Sequence, residues 1–305
     1  GCPDWPGCYG HIDVPRNAGE HTQANAAYPH MPVEVAKAWK EMAHRYIAGI
    51  LGLLILAIAV VAWRRRAAFA QSPWLATALV GVVGVQATLG MWTVTMLLKP
   101  AIVTLHLAGG MTVLALLTWL AMRQSAAAPL PAGEPLRPWA LGALVVVALQ
   151  ILLGGWVSTN YAALACPDFP LCRGAWMPPM DFANAFHVQR ELGMTAQGEL
   201  LSNEALTAIH WLHRAGAIVV AGYLAAFALR LWRVAALRPV AALLVIALAA
   251  QIVMGILNVV LSLPLALAAA HNGGAAALLV LTVVINFRVS SATQALPARL
   301  SSALP

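Results

Sequence analysis

The chain has 305 residues, of which 61% are hydrophobic and only 10% charged. Soluble domains carry about 25% charged residues, and apolar runs of about 20 residues recur here, so composition excludes a soluble globular fold and indicates a polytopic helical membrane protein. A formal charge of +7 would suit nucleic acid in a soluble chain. Without a basic-aromatic patch it reads instead as basic cytoplasmic loops, and no nucleic-acid partner is expected.

Taken in order, residues 1 to about 37 are polar, rich in Pro, Gly, Asn and His, and read as an extramembrane loop. Apolar stretches then predict seven spans, at about 41–63, 74–98, 101–122, 138–157, 204–232, 239–262 and 265–287. Arg64, Arg65 and Arg66 stop the first span, and Lys99-Pro100 forms a short turn into the third. A linker of Ala, Pro and Gly, residues 123–137, divides the chain, and a second polar loop covers about 158–203. The loops after the odd-numbered spans hold Arg64, Arg65, Arg66, Arg123, Arg137, Arg230, Arg233, Arg238, Arg288 and Arg299. They are expected on the cytoplasmic side, which puts both cysteine-containing loops outside, in an oxidising compartment.

The halves repeat. Cys2-Pro3-Asp4-Trp5-Pro6-Gly7-Cys8 matches Cys166-Pro167-Asp168-Phe169-Pro170-Leu171-Cys172 at an offset of 164; His44-Arg45 matches His213-Arg214 at 169; Gln86 and Gly90 match Gln251 and Gly255, and His106 matches His271, at 165. The expected fold is an all-α integral membrane protein of two pseudo-symmetric four-helix units in parallel repeat. The parts are 1–122, a linker 123–137, 138–288, and a cytoplasmic tail 289–305. The second unit has a span before its cysteine loop, ending near Gly154 to Asn160, with no counterpart in the first. The chain also opens without methionine, so a full-length protein of eight spans is expected, this chain lacking the first.

His44, His106, His213 and His271 each fall within about two turns of the start of an expected helix on the outer side. Two histidines on different helices in each half could face each other across a bundle, as axial ligation of a haem iron from both sides requires. Small residues follow two of them, Ala108-Gly109-Gly110 and Gly273-Gly274, and would allow close approach of a porphyrin. The alternative is that each histidine hydrogen-bonds a neighbouring helix. Zinc is poorly supported, because each pair lacks further N or S ligands. Arg45 and Arg214 could pair with haem propionates or snorkel to headgroups. Glu41 lies one turn before His44 and could move protons or stabilise positive charge, or be merely interfacial; its repeat partner is His210. The asymmetry suggests a reacting haem in the first half and an electron-transferring one in the second. Five residues separate Cys2 from Cys8 and Cys166 from Cys172, a spacing compatible with a disulfide in each loop. His11, His21, His30 and His187 show no interpretable spacing.

Glu41-x-x-His44-Arg45, the two cysteine loops and the four repeated histidines together resemble the haem A synthase family over essentially the whole chain, and the Gly155-to-Cys166 stretch resembles its proteobacterial branch. The resemblance implies an inner-membrane oxidoreductase that oxidises the C8 methyl of haem O to a formyl group by successive hydroxylations. It implies His44 and His106 as ligands of the substrate haem, Glu41 acting at the reacting carbon, and His213 and His271 as ligands of a haem b cofactor. Cys2 and Cys8 match the pair that the family associates with function. Expected partners are membrane lipid, haem O synthase, the terminal oxidase assembly machinery and a second copy of the chain. The competing readings are a bis-haem b electron-transfer protein, which would need haems at different depths, a haem carrier without chemistry, and a structural subunit.

Overall fold

The computed structural model describes residues 1–69, 72–125 and 128–290. The expected tail beyond residue 290 and residues 126 and 127 of the linker lie outside the described residues. Among the described residues ten α-helices form: α1 Ala18–Ala27, α2 Val35–Arg64, α3 Arg66–Phe69, α4 Trp74–Thr95, α5 Pro100–Gln124, α6 Arg137–Thr159, α7 Phe182–Ala185, α8 Asn203–Trp232, α9 Arg238–Val260 and α10 Leu265–Arg288. Seven of these, α2, α4, α5, α6, α8, α9 and α10, are long and apolar enough to cross a membrane. Among the described residues there is no β-strand, so the all-α class holds.

The predicted spans fall on these helices, with one local correction. α2 begins at Val35, not near residue 41, so His44 and its counterpart His213 on α8 sit in the third turn of their helices. The first polar segment also contains α1, which composition alone concealed. Asn17 accepts the Glu20 N–H at 2.9 Å while the Glu20 carboxylate reaches back to the Asn17 N–H, a reciprocal cap that starts a helix with no apolar face. Proline marks the helix starts elsewhere: Pro100 opens α5, Pro138 and Pro239 sit in the first turns of α6 and α9, and Pro264 precedes α10.

The chain divides into two compact units, 1–109 and 110–305, the boundary falling inside α5. In the first, α2 packs on α4, and the loop ahead of them forms its own small core of Cys2, Cys8, Tyr9, Val14, Ala38 and Met42. In the second, α6 packs on α8, α8 on α9, α9 on α10 and α10 back on α6, closing a four-helix ring around Leu224, Phe227, Leu244 and Ile285. Lipid is as apolar as these side chains, so burial by itself gives little drive between helices; close packing and interhelical hydrogen bonds must hold them. Asn286 Nδ2 accordingly donates to the Ala140 carbonyl at 2.8 Å, and the Tyr223 hydroxyl donates to the Trp139 carbonyl at 3.1 Å.

The repeat is visible in the backbone. After α4, Leu97 and Leu98 turn with φ of 49° and 59°; after α9, Ser262 and Leu263 do so with 57° and 63°. Each turn ends on a hydrogen bond back into its helix, Leu98 N–H to Thr93 O at 3.0 Å and Leu263 N–H to Asn258 O at 2.7 Å. Left-handed conformations at non-glycine residues cost energy, and two in succession at matching places mark one connection used twice.

Candidate functional site

In the first unit the imidazoles of His44 on α2 and His106 on α5 face each other with ring centroids 6.5 Å apart. Two imidazoles bound on opposite sides of one metal, at about 2.0–2.1 Å per bond and with about 1.1 Å from each nitrogen to its ring centre, have centroids roughly 6.3 Å apart. The 6.5 Å separation of the centroids matches that span, with the two ring planes at 84° to each other. Among the described residues no group of three or more His, Cys, Asp or Glu side chains is gathered as for a metal ion. In the second unit His213 lies on α8 and His271 on α10, two helices that each pack against both α6 and α9.

Around these histidines a shared arrangement appears. Gln86 Nε2 donates to the backbone carbonyl of His106 at 2.9 Å, Gln150 Nε2 to that of His213 at 2.9 Å, and Gln251 Nε2 to that of His271 at 3.0 Å. Four residues after each glutamine, a glycine faces the imidazole. A Cβ placed on Gly90, Gly154 or Gly255 would lie 3.2, 3.1 or 3.1 Å from the Cε1 of His106, His213 or His271. Three residues after each of these histidines a second glycine, Gly109, Gly216 or Gly274, leaves the space that the glutamine Oε1 fills, since a Cβ there would collide with it. The Oε1 of all three glutamines, and the Nδ1 of His106 and His271, are buried without a hydrogen-bond partner. A neutral imidazole that gives its Nε2 lone pair to a metal carries its proton on Nδ1 and needs an acceptor there. At His213 the Gln150 Nε2 stands 3.1 Å from Nδ1 and at His271 the Gln251 Nε2 stands 3.4 Å from Nε2, while the Oε1 atoms fill the space beside the second glycines.

The cysteine loops sit over the starts of α2 and α8 and are built alike. Both cysteine pairs are disulfide-bonded, Cys2 to Cys8 and Cys166 to Cys172. Asp4 accepts the N–H groups of Tyr9 and Gly10 at 2.6 and 2.8 Å; Asp168 accepts those of Arg173 and Gly174 at 2.5 and 2.8 Å. The Gly174 and Arg173 N–H groups hold the Asp168 carboxyl below its ordinary range, assisted by the Arg214 charge. The arginines are the anchors. Arg45 donates to the carbonyls of Asp4 at 3.1 Å, Pro6 at 3.2 Å and Gly7. Arg214 donates to those of Asp168 at 2.9 Å, Leu171 at 2.8 Å and Cys166 at 2.7 Å. Both guanidinium groups are thus engaged with protein carbonyls, a role neither of the sequence-level alternatives included.

Glu41 is where the two loops differ. Its Oε2 accepts the Cys2 N–H at 2.9 Å and its Oε1 pairs with Arg45 Nη2 at 2.5 Å, with the carboxylate side chain 28% exposed. At the matching place His210 Nδ1 faces the Cys166 N–H at 3.3 Å and its Nε2 faces Arg214 Nε at 3.1 Å. A carboxylate accepts both contacts at once, whereas a neutral imidazole has one accepting nitrogen and serves one at a time. Glu41 therefore joins a disulfide loop, an arginine and the helix turn before His44 through one carboxyl group.

Residues 1–283 match the COX15-CtaA family, described as cytochrome oxidase assembly protein. The chain belongs to the COX15-CtaA family. Among curated relatives, a protein named heme A synthase from Shewanella oneidensis is 44% identical over 290 residues, 94% of this chain and 87% of its own length. Proteins of the same name from Caulobacter sp. strain K31 and Rhizorhabdus wittichii are 30% and 29% identical, each over 82% of this chain.

Within this COX15-CtaA chain the structure brings together Glu41, His44, Arg45, His106 and the Cys2–Cys8 loop in one unit, and His210, His213, Arg214, His271 and the Cys166–Cys172 loop in the other. Of the loop histidines, His11 joins the first group through its backbone, exchanging hydrogen bonds with Cys8 at 2.8 and 3.1 Å, and His21 Nε2 contacts the Pro15 carbonyl at 3.0 Å. Sequence reasoning missed Gln150 and Gly154. They repeat the Gln-x-x-x-Gly spacing of Gln86–Gly90 and Gln251–Gly255, and a search for that spacing, without regard to the 165-residue offset, would have found them.

Proposed function

We propose that this protein acts as a haem A synthase, oxidising the C8 methyl of haem O to a formyl group. The observation that carries the reading is the 6.5 Å centroid spacing of His44 and His106, which suits two histidines that would hold one haem iron, beside the Glu41 carboxyl group one turn away. Membership of the COX15-CtaA family and 44% identity to a protein named heme A synthase support it. Haem O is the substrate, held by His44 and His106. His213 and His271 hold a haem b, which supplies one-electron transfer when bound.

Converting a methyl to a formyl group, by two hydroxylations and loss of water from the resulting hydrate, consumes one water in net terms and releases four protons and four electrons, the electrons going to an oxidant from outside the chain. Protons must therefore leave the reacting carbon's surroundings. In this reading Glu41 takes them, and its contacts with Arg45 and the Cys2 N–H, which orient the carboxylate, support that role. His210, with one accepting nitrogen, does not offer the same chemistry in the second unit. The domain assignment follows: 1–122 as the substrate unit, 123–137 as linker, 138–288 as the haem b unit and 289–305 as tail. By the distribution of Lys and Arg, the cysteine loops face the periplasm of a bacterial inner membrane. Haem O synthase would supply the substrate, and terminal oxidase assembly would consume the product.

The test is haem extraction and chromatography from membranes of cells that make haem O, with wild-type protein and with Glu41→Gln. Haem A or its hydroxylated precursor should appear with the wild type and be lost with Glu41→Gln, while haem content stays unchanged. Haem O left unconverted by folded, haem-loaded wild-type protein would replace this reading with an electron-transfer or carrier role.

A further inference from the structure

Both cysteine loops are held to a helix at one further point, by an aromatic side chain. In the second unit the indole N–H of Trp211 on α8 donates to the backbone carbonyl of Trp176 at 2.8 Å; in the first the hydroxyl of Tyr46 on α2 donates to that of Ile12 at 2.9 Å. Ile12 and Trp176 stand at matching places, four residues after Cys8 and Cys172. Each is a large apolar residue in a segment that reads as polar and extramembrane. In the second unit Trp176 is 70% exposed and Met177 beside it 72%. That exposure holds with a span, α6, in place ahead of the loop.

Depth decides what these side chains meet. The inner end of α8 is marked by Arg230, whose guanidinium lies 4.0 Å from the Trp139 ring centre, and by the exposed Trp232. Basic and aromatic residues gather in this way at a membrane–water boundary. Trp211 lies 19 residues before Arg230 on one continuous helix, about 29 Å at about 1.5 Å per residue. A tilt of about 20° shortens that by only about 2 Å. A hydrocarbon core is about 30 Å thick, so Trp211 stands at its outer boundary, and the Trp176 carbonyl that it holds stands there too. The first unit repeats the spacing: Tyr46 lies 18 residues, about 27 Å, before Arg64 at the inner end of α2.

We infer that the second cysteine loop is anchored in the outer leaflet, Trp176 and Met177 lodging among lipid at the boundary between headgroups and acyl chains, and that Ile12 does the same for the first loop. An indole suits that layer, since its ring is apolar and its N–H polar, and a flexible thioether packs against disordered chains. The hydrogen bonds from Trp211 and Tyr46 belong to the same arrangement: a carbonyl carried to this depth loses water and needs a donor from the protein. The second loop is thereby held from two sides, by Arg214 on the protein and by lipid at residues 176 and 177.

The experiment uses the whole protein in vesicles of phosphatidylethanolamine and phosphatidylglycerol. All four native cysteines are paired and buried, so a nitroxide attaches only to an introduced thiol, at Trp176→Cys or, with Trp176 kept, at Met177→Cys. Collisions with oxygen, which concentrates in lipid, and with a nickel chelate, which stays in water, give the depth of each label by electron paramagnetic resonance. Gln197→Cys, in the exposed turn between Thr195 and Gly198, is the aqueous reference, and Ile246→Cys, 64% exposed in the middle of α9, is the lipid reference. Labels at 176 and 177 should lie about 5–10 Å below the phosphates. Trp211→Phe keeps a ring but removes the N–H, and should make the mobile, water-exposed population of the label at 177 about 2–10-fold larger. Nickel accessibility at 176 and 177 equal to that at 197 would overturn the inference. Shielding from both reagents would overturn it too, because a protein surface would then cover the patch. An unchanged label at 177 with Trp211→Phe would overturn the fastening by Trp211.

Discussion

Replacing Arg214 by methionine removes a guanidinium that donates three hydrogen bonds to the second cysteine loop, to the carbonyls of Cys166, Asp168 and Leu171 at 2.7–2.9 Å. Hydrogen bonds to a charged group contribute about 1.5–3 kcal/mol each, which for three gives at least about 4.5 kcal/mol in a dry site. Arg214 is only partly buried and the freed carbonyls can be rehydrated, so roughly half, about 2–3 kcal/mol, is the expected loss of loop docking. That corresponds to about 30–150-fold more frequent opening of the loop. The effect should stay local, because α6, α8, α9 and α10 hold one another through contacts that Arg214 does not make. Amide hydrogen exchange at Cys172, Arg173 and Gly174 is the assay: Cys172 N–H is bonded to Ala175 O at 2.9 Å, and the other two to Asp168. Protection there should fall by the stated factor with the thermal midpoint nearly unchanged. Unchanged protection would refute the assignment of Arg214 as the loop's anchor and reopen a ligand-facing role for it.

Three further outcomes follow from the same geometry. Arg45→Met should open the first loop similarly and, by releasing Glu41 from its 2.5 Å ion pair, lower haem A formation as well; product formation at the wild-type rate in a haem chromatography assay would contradict the proposed role of that carboxylate. Gly154→Val and Gly255→Val push a branched side chain against a ring whose Cε1 lies 3.1 Å from the Cβ position, so each should abolish the second unit's low-spin spectrum, while Gly222→Ala, where a Cβ meets open space, should not. Asp168 has its carboxyl pKa lowered by the Gly174 and Arg173 N–H groups, so it stabilises the loop above the ordinary aspartate range and that contribution disappears as pH falls through the lowered value. Exchange protection of Gly174 should therefore decline only in strong acid, and Asp168→Asn should remove that pH dependence.

The four histidines were legible because duplication puts the same chemistry at the same place twice, and an ionisable residue repeated in an apolar span has few bland explanations. The seven spans were legible for a simpler reason: a bilayer demands about 20 apolar residues per crossing, whatever packs against them. The disulfide spacing could also be read, since both cysteines of each pair lie in one short loop. The start of α2 was misplaced because the turns around Lys37 and Lys40 are polar, and hydropathy marks where a helix enters lipid, not where it begins. Gln150 escaped notice because no partner stands at the repeat offset, and a lone glutamine in a span has no meaning until its target is known.

Sequence by itself determined the class, the spans, the repeat and the cast of ionisable residues, since each is a property of local composition or of one stretch compared with another. Tertiary structure alone decided what those residues touch. Arg45 and Arg214 turn to loop carbonyls because the cysteine loops fold back over α2 and α8, and three glutamines find three histidine carbonyls only across helix interfaces. Such pairings join residues 20 to 63 positions apart, and their partners are fixed by how helices pack, which no local pattern encodes.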